Sequence, residues 1–201
     1  MRRRLLLLAL PCLAALACHP CDSVGELRVA GDSSYVRCAA LDAPDEGERR
    51  VGDVAFEIEG RTLRFTSPPT RVAFFRGPAP RSADLEGSLS ALVERGTGLF
   101  VMLGGAGDDE ALAQRSLRAL AATERPALVL AGGRDEAEVL SDAFEALGDE
   151  APGVVDARGL RVVRLGATSL LLLSGAPGGR YARTDDACGF GPDDLEALRE
   201  A

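Results

Sequence analysis

The chain has 201 residues, of which 46% are hydrophobic and 27% are charged, and its formal net charge is −8. This composition excludes an intrinsically disordered protein and predicts one main domain with a sizeable core. The acidic balance excludes nucleic acid as a partner, because a surface that binds nucleic acid needs an excess of positive charge.

Residues 1–17 have the three-part pattern of a secretory signal peptide. Arginines at positions 2–4 precede an apolar run over residues 5–16, which is too short to span a bilayer, and small residues follow before Cys18. The stretch 15–18, Ala-Leu-Ala-Cys, resembles a bacterial lipobox, which implies that Cys18 is the lipidated first residue of the mature protein. The alternative is ordinary cleavage nearby, which leaves Cys18 free or paired. We expect an exported protein that is held in the cell envelope by a lipid anchor in the membrane.

Export places the other cysteines in an oxidising compartment, where pairing is the default expectation. Cys21 and Cys38 bracket an alternating stretch over residues 26–36, with a turn at residues 31–34. We predict that a Cys21–Cys38 disulfide closes a small hairpin here. Cys188 is then left over, either free and buried or, as the alternative, the partner of Cys21 or Cys38.

Residues 18–67 are predicted to form a β-rich N-terminal segment. Residues 39–52 are acidic and contain proline, which is typical of a linker or a surface loop. Alternating stretches at residues 54–58 and 62–65 predict a β-hairpin. A segment this short holds little core of its own, so packing on the main domain is the alternative to independent folding.

Residues 68–201 are predicted to form an α/β domain. Buried strands at residues 71–75, 99–103 and 127–131 alternate with helices, and this order indicates a parallel sheet. The predicted helical positions are Leu85 to Val93, the residues after Asp109, and Val139 to Leu147. Beyond Gly153 the pattern changes to short strands without helices between them, at residues 154–155, 160–165 and 169–173, which predicts an antiparallel meander. A glycine- and arginine-rich loop over residues 174–186 and a final helix from Pro192 follow.

The stretch 128–135, Leu-Val-Leu-Ala-Gly-Gly-Arg-Asp, is a strand-turn-helix junction. At the carboxyl end of a strand, glycines allow a backbone to approach a ligand, and helix N-termini attract anions. Asp135 and Glu138 are spaced like a capping box, so Asp135 is predicted to cap the third helix.

This junction resembles the Gly-Asn-His-Asp turn of the calcineurin-like metallophosphoesterases, with Gly132, Gly133, Arg134 and Asp135 in those four places. Over residues 71–190 the order β-α-β-α-β-α, followed by antiparallel strands, resembles the first half of the family's αββα sandwich. The resemblance implies a C-terminally short member of this family. Family members hold two divalent metal ions at successive strand ends, so that a bridging hydroxide can attack phosphorus.

The positions of the family's ligands carry other residues in this chain. Arg76 and Pro78 stand in the first aspartate and histidine places, and Gly105 stands where the second motif has its aspartate. Asp108 and Asp109 follow a few residues later, where the simplest role is an N-cap. The sequence contains one histidine, His19, beside the predicted lipid anchor. We therefore expect no metal ligand, no cofactor and no catalytic residue, and a vestigial or anion-binding site made of Arg76, Gly105, Asp108, Asp109, Gly132, Gly133, Arg134 and Asp135.

Two functions follow from this reading. The first is a cell-envelope lipoprotein that has lost metal-dependent catalysis and acts in binding or scaffolding; its candidate ligand is an anionic small molecule, and its protein partner is unknown. The alternative is an active phosphoesterase that binds two divalent metal ions through acidic residues, namely Asp108, Asp109, Asp135, Asp185 and Asp186. A nucleophilic triad is excluded, because no histidine is available to pair with Ser174 or Cys188.

Overall fold

Two β-sheets face each other in the computed structural model, which describes residues 35–77, 85–106, 109–148, 151–177 and 186–200. The strands in chain order are β1 (Gly47–Val51), β2 (Val54–Glu59), β3 (Thr62–Phe65), β4 (Val72–Phe75), β5 (Leu99–Leu103), β6 (Ala127–Leu130), β7 (Val154–Asp156), β8 (Val162–Leu165), β9 (Thr168–Leu171), β10 (Ala176–Pro177) and β11 (Gly189–Phe190). The helices are α1 (Leu85–Glu94), α2 (Glu110–Ala121), α3 (Ala137–Leu147) and α4 (Pro192–Arg199), and a single 3₁₀ turn covers Cys38–Ala40.

The first sheet is parallel and has the strand order β4-β5-β6-β7. Its first three strands and the helices between them confirm the alternating pattern that the sequence predicts. β7 differs from the prediction, because it pairs in parallel with β6 and is not part of an antiparallel meander. Val154 and Val155 are both buried. A strand that is covered on both faces shows no alternation from which its sheet could be recognised.

The second sheet has the order β1-β2-β3-β8-β9 and combines strands that precede the parallel sheet in the chain with strands that follow it. The predicted hairpin of β2 and β3 and the antiparallel pairing of β8 with β9 are confirmed. β3 lies parallel to β8, with Leu63 opposite Val163. The N-terminal strands therefore pack on the main domain, and the described residues belong to one compact unit, Asp32–Ala201. The prediction of a linker or surface loop over residues 39–52 is wrong for Gly47–Val51, because this segment pairs with β2 along its whole length.

Two hydrophobic cores lie on either side of the parallel sheet. The inter-sheet core fills the space between the two sheets and includes Phe56, Ile58, Leu63, Val101, Leu128 and Val163. The helix-side core packs α1, α2 and α3 on the other face and includes Leu89, Phe100, Met102, Leu117, Val129 and Leu140. The parallel sheet is thus covered on both faces, as its continuous apolar strands require.

The outer face of the second sheet carries a row of charged side chains. Glu57 lies opposite Arg64 on the neighbouring strand, and Arg64 lies opposite Arg164. All three side chains are exposed. The described residues therefore form a mixed α/β fold of three layers, in the order helices, parallel sheet and mixed sheet. None of the described helices is long and apolar enough to cross a bilayer.

The disulfide differs from the predicted one. Cys38 is bonded to Cys188, with 5.3 Å between their Cα atoms, and both residues are fully buried. The predicted Cys21–Cys38 pairing is therefore wrong, and the alternative with Cys188 as the partner of Cys38 holds. Spacing along the chain favoured the nearby cysteine, whereas the fold brings together residues 150 positions apart. Cys21 and most of the predicted hairpin over residues 26–36 lie outside the described residues.

Residues 35–41 form a strap that runs along the C-terminal part of the domain. Val36 makes backbone hydrogen bonds with Ala187 at 3.1 Å and with Gly189 at 2.9 Å. The Arg61 guanidinium donates to the carbonyl oxygens of Ala39 and Leu41 at 3.0 and 2.9 Å, and Arg161 also donates to Ala39. Burial lowers the pKa of Arg161, and the neighbouring positive charge of Arg61 adds to this effect.

Asp194, in the first turn of α4, holds the strap through Arg37. Arg37 Nη2 lies 2.7 Å from Asp194 Oδ1, and the N–H of Gly191 donates to Oδ2 at 2.9 Å. Burial alone would raise the pKa of Asp194, but the hydrogen bonds from Arg37 and Gly191 outweigh it. The pKa of this carboxyl is consequently lowered from its ordinary value of 3.8.

This lowered pKa predicts a dependence of stability on acid. A carboxyl with a lowered pKa in the folded state stabilises the fold above its unfolded pKa, and the contribution disappears as the pH falls through the folded value. We expect Asp194→Asn to lower the free energy of unfolding by about 1 kcal/mol at pH 6, since Arg37 is half exposed and water screens the pair. The difference between variant and wild type should shrink below about pH 4. Urea unfolding of both proteins at pH 6 and pH 3 measures this difference in the free energy of unfolding. Glu196→Gln, on the exposed side of the same helix, is the control, and a deficit independent of pH would contradict the prediction.

Candidate functional site

The turns that follow β4, β5 and β6 meet at the carboxyl edge of the parallel sheet. The N–H of Gly77 donates to the carbonyl oxygen of Gly104, and the N–H of Gly104 donates to that of Leu130, both at 2.8 Å. These bonds connect three successive strand ends, which is the place where ligands bind in open α/β sheets. The sequence locates this edge correctly.

Asp135 lies at the centre of these turns and is fully buried. Its Oδ2 accepts hydrogen bonds from the N–H of Gly105 at 2.8 Å and from the N–H of Gly132 at 2.6 Å. The prediction that Asp135 caps the third helix is wrong. The N-cap residue of α3 is Glu136, which makes no side-chain cap, and the Asp135 carboxylate points back to the strand ends. Asp135 therefore joins the turns after β5 and β6.

The glycines of these turns allow backbone to approach backbone. Gly104 has a φ of +75°, and a Cβ there would lie 2.6 Å from the nitrogen of Gly132 and 2.9 Å from Asp135 Oδ2. A Cβ on Gly77 would lie 2.0 Å from the carbonyl oxygen of Gly105. Side chains at these positions would push the strand ends apart. Close packing of the turns is thus the physical reason for these glycines.

The arginines of the candidate site are on its surface. Arg76 follows β4 directly, and its Cγ would lie 3.3 Å from a Cβ on Gly105, so its side chain lies over that glycine. Arg134 is in the turn after β6, beside Gly133. Both arginine side chains are exposed. Arg76 thus lies over the turn after β5, and Arg134 belongs to the turn after β6.

The acidic residues of the predicted set have separate positions. Asp109 is the N-cap of α2, with its Oδ1 accepting the N–H of Leu112 at 2.9 Å, as the sequence predicts. Asp186 is exposed, and its carbonyl oxygen accepts the N–H of Ala137 at 3.0 Å. Asp108 lies outside the described residues, as do Pro78, Asp185, Cys18 and His19.

The described residues at this edge do not fit a centre of two divalent metal ions. Such a centre needs several carboxylate or imidazole ligands around a shared space. Here Asp135 Oδ2 is directed at two backbone N–H groups, and the exposed guanidinium groups of Arg76 and Arg134 would repel cations. Within the described ranges, no group of three or more His, Cys, Asp and Glu side chains is placed to hold a metal ion.

Two buried polar groups close to this edge have structural roles that the sequence analysis does not predict. Ser174 is fully buried, and its hydroxyl accepts the N–H of Ala131 at 2.7 Å, immediately after β6. Arg158 is 3% exposed and donates to Asp156 at 2.6 Å and to the carbonyl oxygen of Ala137 at 2.7 Å. The Asp-x-Arg spacing was the available signal for the second group, because two residues apart on extended backbone point to one side.

Comparisons with protein-family models, with curated proteins and with solved structures find no match to this chain. The function is therefore argued from the geometry of the strand ends.

Proposed function

We propose that this chain is an exported lipoprotein of the cell envelope, with a metallophosphoesterase-like domain that has lost metal-dependent catalysis and serves in binding or scaffolding. The main observation behind this proposal is a pair of hydrogen bonds. The N–H groups of Gly105 and Gly132 donate to Asp135 Oδ2, at 2.8 and 2.6 Å. Asp135 is the one side chain that the sequence retains from the family's third motif. In this fold its carboxylate has a structural role in holding two turns together.

The surroundings of Asp135 support the same proposal. Arg76 and Arg134 bring positive charge to the positions that resemble the family's aspartate and histidine ligands, and a guanidinium remains protonated and coordinates no cation. Gly105 and Gly133 offer no side-chain ligand. Positive charge over a side-chain-free turn favours an anion, so the expected ligand of this surface is a phosphate or carboxylate group bound weakly and sensitive to salt.

The buried disulfide supports export. Disulfides persist in oxidising compartments and are rare in the reducing cytosol. Cys38 and Cys188 are both fully buried and join the strap to the C-terminal part of the domain. A bond in this position suits a protein that folds after translocation.

Loss of catalysis is tested with purified protein and added manganese, zinc or iron. We expect no turnover of a phosphodiester or a phosphomonoester above the blank, and no metal-dependent rise of the melting temperature. A metal bound at 100 times its dissociation constant would add about 2.7 kcal/mol to the free energy of unfolding, which a melting curve resolves easily. The expected ratio of bound metal to protein is below stoichiometric.

The matched variants decide between this proposal and the active phosphoesterase. Asp135→Asn retains an oxygen acceptor but removes the negative charge, and Asp108→Ala removes another carboxylate of the acidic set that the alternative function would use. Stoichiometric metal with turnover that both variants abolish at an unchanged melting temperature would establish the hydrolase. If the wild type has no phosphoesterase activity and Asp135→Asn is less stable than the wild type, the result agrees with a structural role of Asp135.

The lipid anchor is a separate expectation. Cys18 follows the charged, apolar and small-residue pattern of a lipoprotein signal. Wild type should partition into the detergent phase, and Cys18→Ser should move to the aqueous phase. If both proteins partitioned equally into the aqueous phase, Cys18 would carry no lipid. The proposed role of the domain would not be affected by this result.

A further inference from the structure

Two backbone N–H groups converge on a single point at the edge of the parallel sheet. They belong to Gly105 and Gly132, which follow different strands, and both point at Asp135 Oδ2, at 2.8 and 2.6 Å. Backbone N–H groups that point at one place bind anions, as the successive N–H groups of phosphate-binding loops do. Here the anion in the concavity is a carboxylate of the same chain.

The walls of this concavity are glycine. A Cβ on Gly104 would lie 2.9 Å from Asp135 Oδ2, and a Cβ on Gly132 would lie 3.4 Å from it. The space around the oxygen therefore exists because Gly104 carries no side chain. Asp135 is fully buried, so the carboxylate has exchanged water for these N–H groups. Such an exchange is favourable only when charge-assisted hydrogen bonds replace the lost hydration.

We propose that the Gly105 and Gly132 N–H groups form an anion-binding nest whose resident ligand is Asp135, and that removing this side chain opens the nest to small external carboxylates. The ligand class is a monocarboxylate of the size of formate or acetate, since the nest is shaped around one carboxylate group. In the wild type the attached carboxylate excludes external ones, because a linked ligand has a high effective concentration. This proposal concerns the nest alone and does not rest on the loss of catalysis.

Anion rescue of Asp135→Ala is the test. The variant should have a lowered melting temperature in sodium chloride, because two partly buried N–H groups lose their acceptor. In sodium formate of equal ionic strength at pH 7 it should recover several degrees, equivalent to a roughly tenfold shift of the folding equilibrium at 100 mM if formate binds at about 10 mM. The wild type should melt at the same temperature in both salts.

Asp109→Ala is the matched control, since it removes a carboxylate that accepts the N–H of Leu112 at an exposed helix N-terminus. This variant should show no difference between formate and chloride. In Asp135→Ala the amide proton shifts of Gly105 and Gly132 should move on formate titration, while that of Leu112 stays constant. Equal melting in the two salts, a variant that folds in neither, or stabilisation without shifts at these two amides would overturn the proposal.

Discussion

Replacing both Cys38 and Cys188 by alanine is expected to lower the free energy of unfolding by about 5 kcal/mol. The bond joins residues 150 positions apart, and closing so long a loop removes a large part of the entropy of the unfolded chain. Both residues are fully buried, so the variant also loses packing in the helix-side core. In a domain of this size the melting temperature should fall by roughly 10–20 °C.

Cys21→Ala is the control for this experiment. Because Cys38 is bonded to Cys188, removing Cys21 leaves this bond intact, and the large fall in melting temperature should be absent. If Cys21→Ala were as destabilising as Cys188→Ala, the pairing in the folded protein would involve Cys21. Peptide mapping without reduction should give one linked pair that contains Cys38 and Cys188.

Gly104→Ala is the second substitution with a large expected effect. The backbone there has a φ of +75°, which costs an alanine about 1–2 kcal/mol. The new methyl group would lie 2.6 Å from the nitrogen and 2.7 Å from the Cα of Gly132, neither of which can move without opening the strand ends. Adding about 1–3 kcal/mol for overpacking, we expect a loss of about 2–5 kcal/mol in urea unfolding.

Gly60→Ala separates these two causes. Gly60 also has a positive φ, +53°, but a Cβ there would meet nothing within 4 Å. Its substitution should cost only the backbone part, about 1–2 kcal/mol. If the two variants lost the same free energy of unfolding, the strand ends around Gly104 would relax freely. The close approach of Gly132 would then make no contribution to the loss of stability.

The sequence predicts those parts of the fold whose pattern is local. β5 and the hairpin of β2 and β3 have clear signals in burial and alternation, and α2 begins where Asp109 offers a cap. β1 was missed because Gly-Glu-Arg-Arg-Val is a polar edge strand whose pairing, and not its composition, makes it a strand. β7 was assigned to the wrong sheet for a related reason, since a short apolar run does not reveal its partner.

The candidate site shows the same limit at the level of single side chains. The sequence places the glycine turns and Asp135 at one edge of the sheet, and the structure agrees. It does not reveal where the carboxylate points, because Asp135 followed by Glu138 has the spacing of a capping box whether or not the helix starts there. The direction of the carboxylate is set by two backbone N–H donors, and one of them, on Gly105, lies 30 residues earlier in the chain. Only the folded backbone brings that donor within reach.

The parallel pairing of β3 with β8 has a consequence for the order of folding. The N-terminal hairpin ends at Phe65, but the strand that completes its sheet starts at Val162. The hairpin is therefore synthesised long before its neighbour, with Phe56 and Leu63 lacking the partners that bury them in the finished core. Contacts between residues so far apart in sequence form slowly and leave apolar surface exposed in the meantime. The newly made chain is therefore expected to need protection from aggregation until β8 is available to pair with β3.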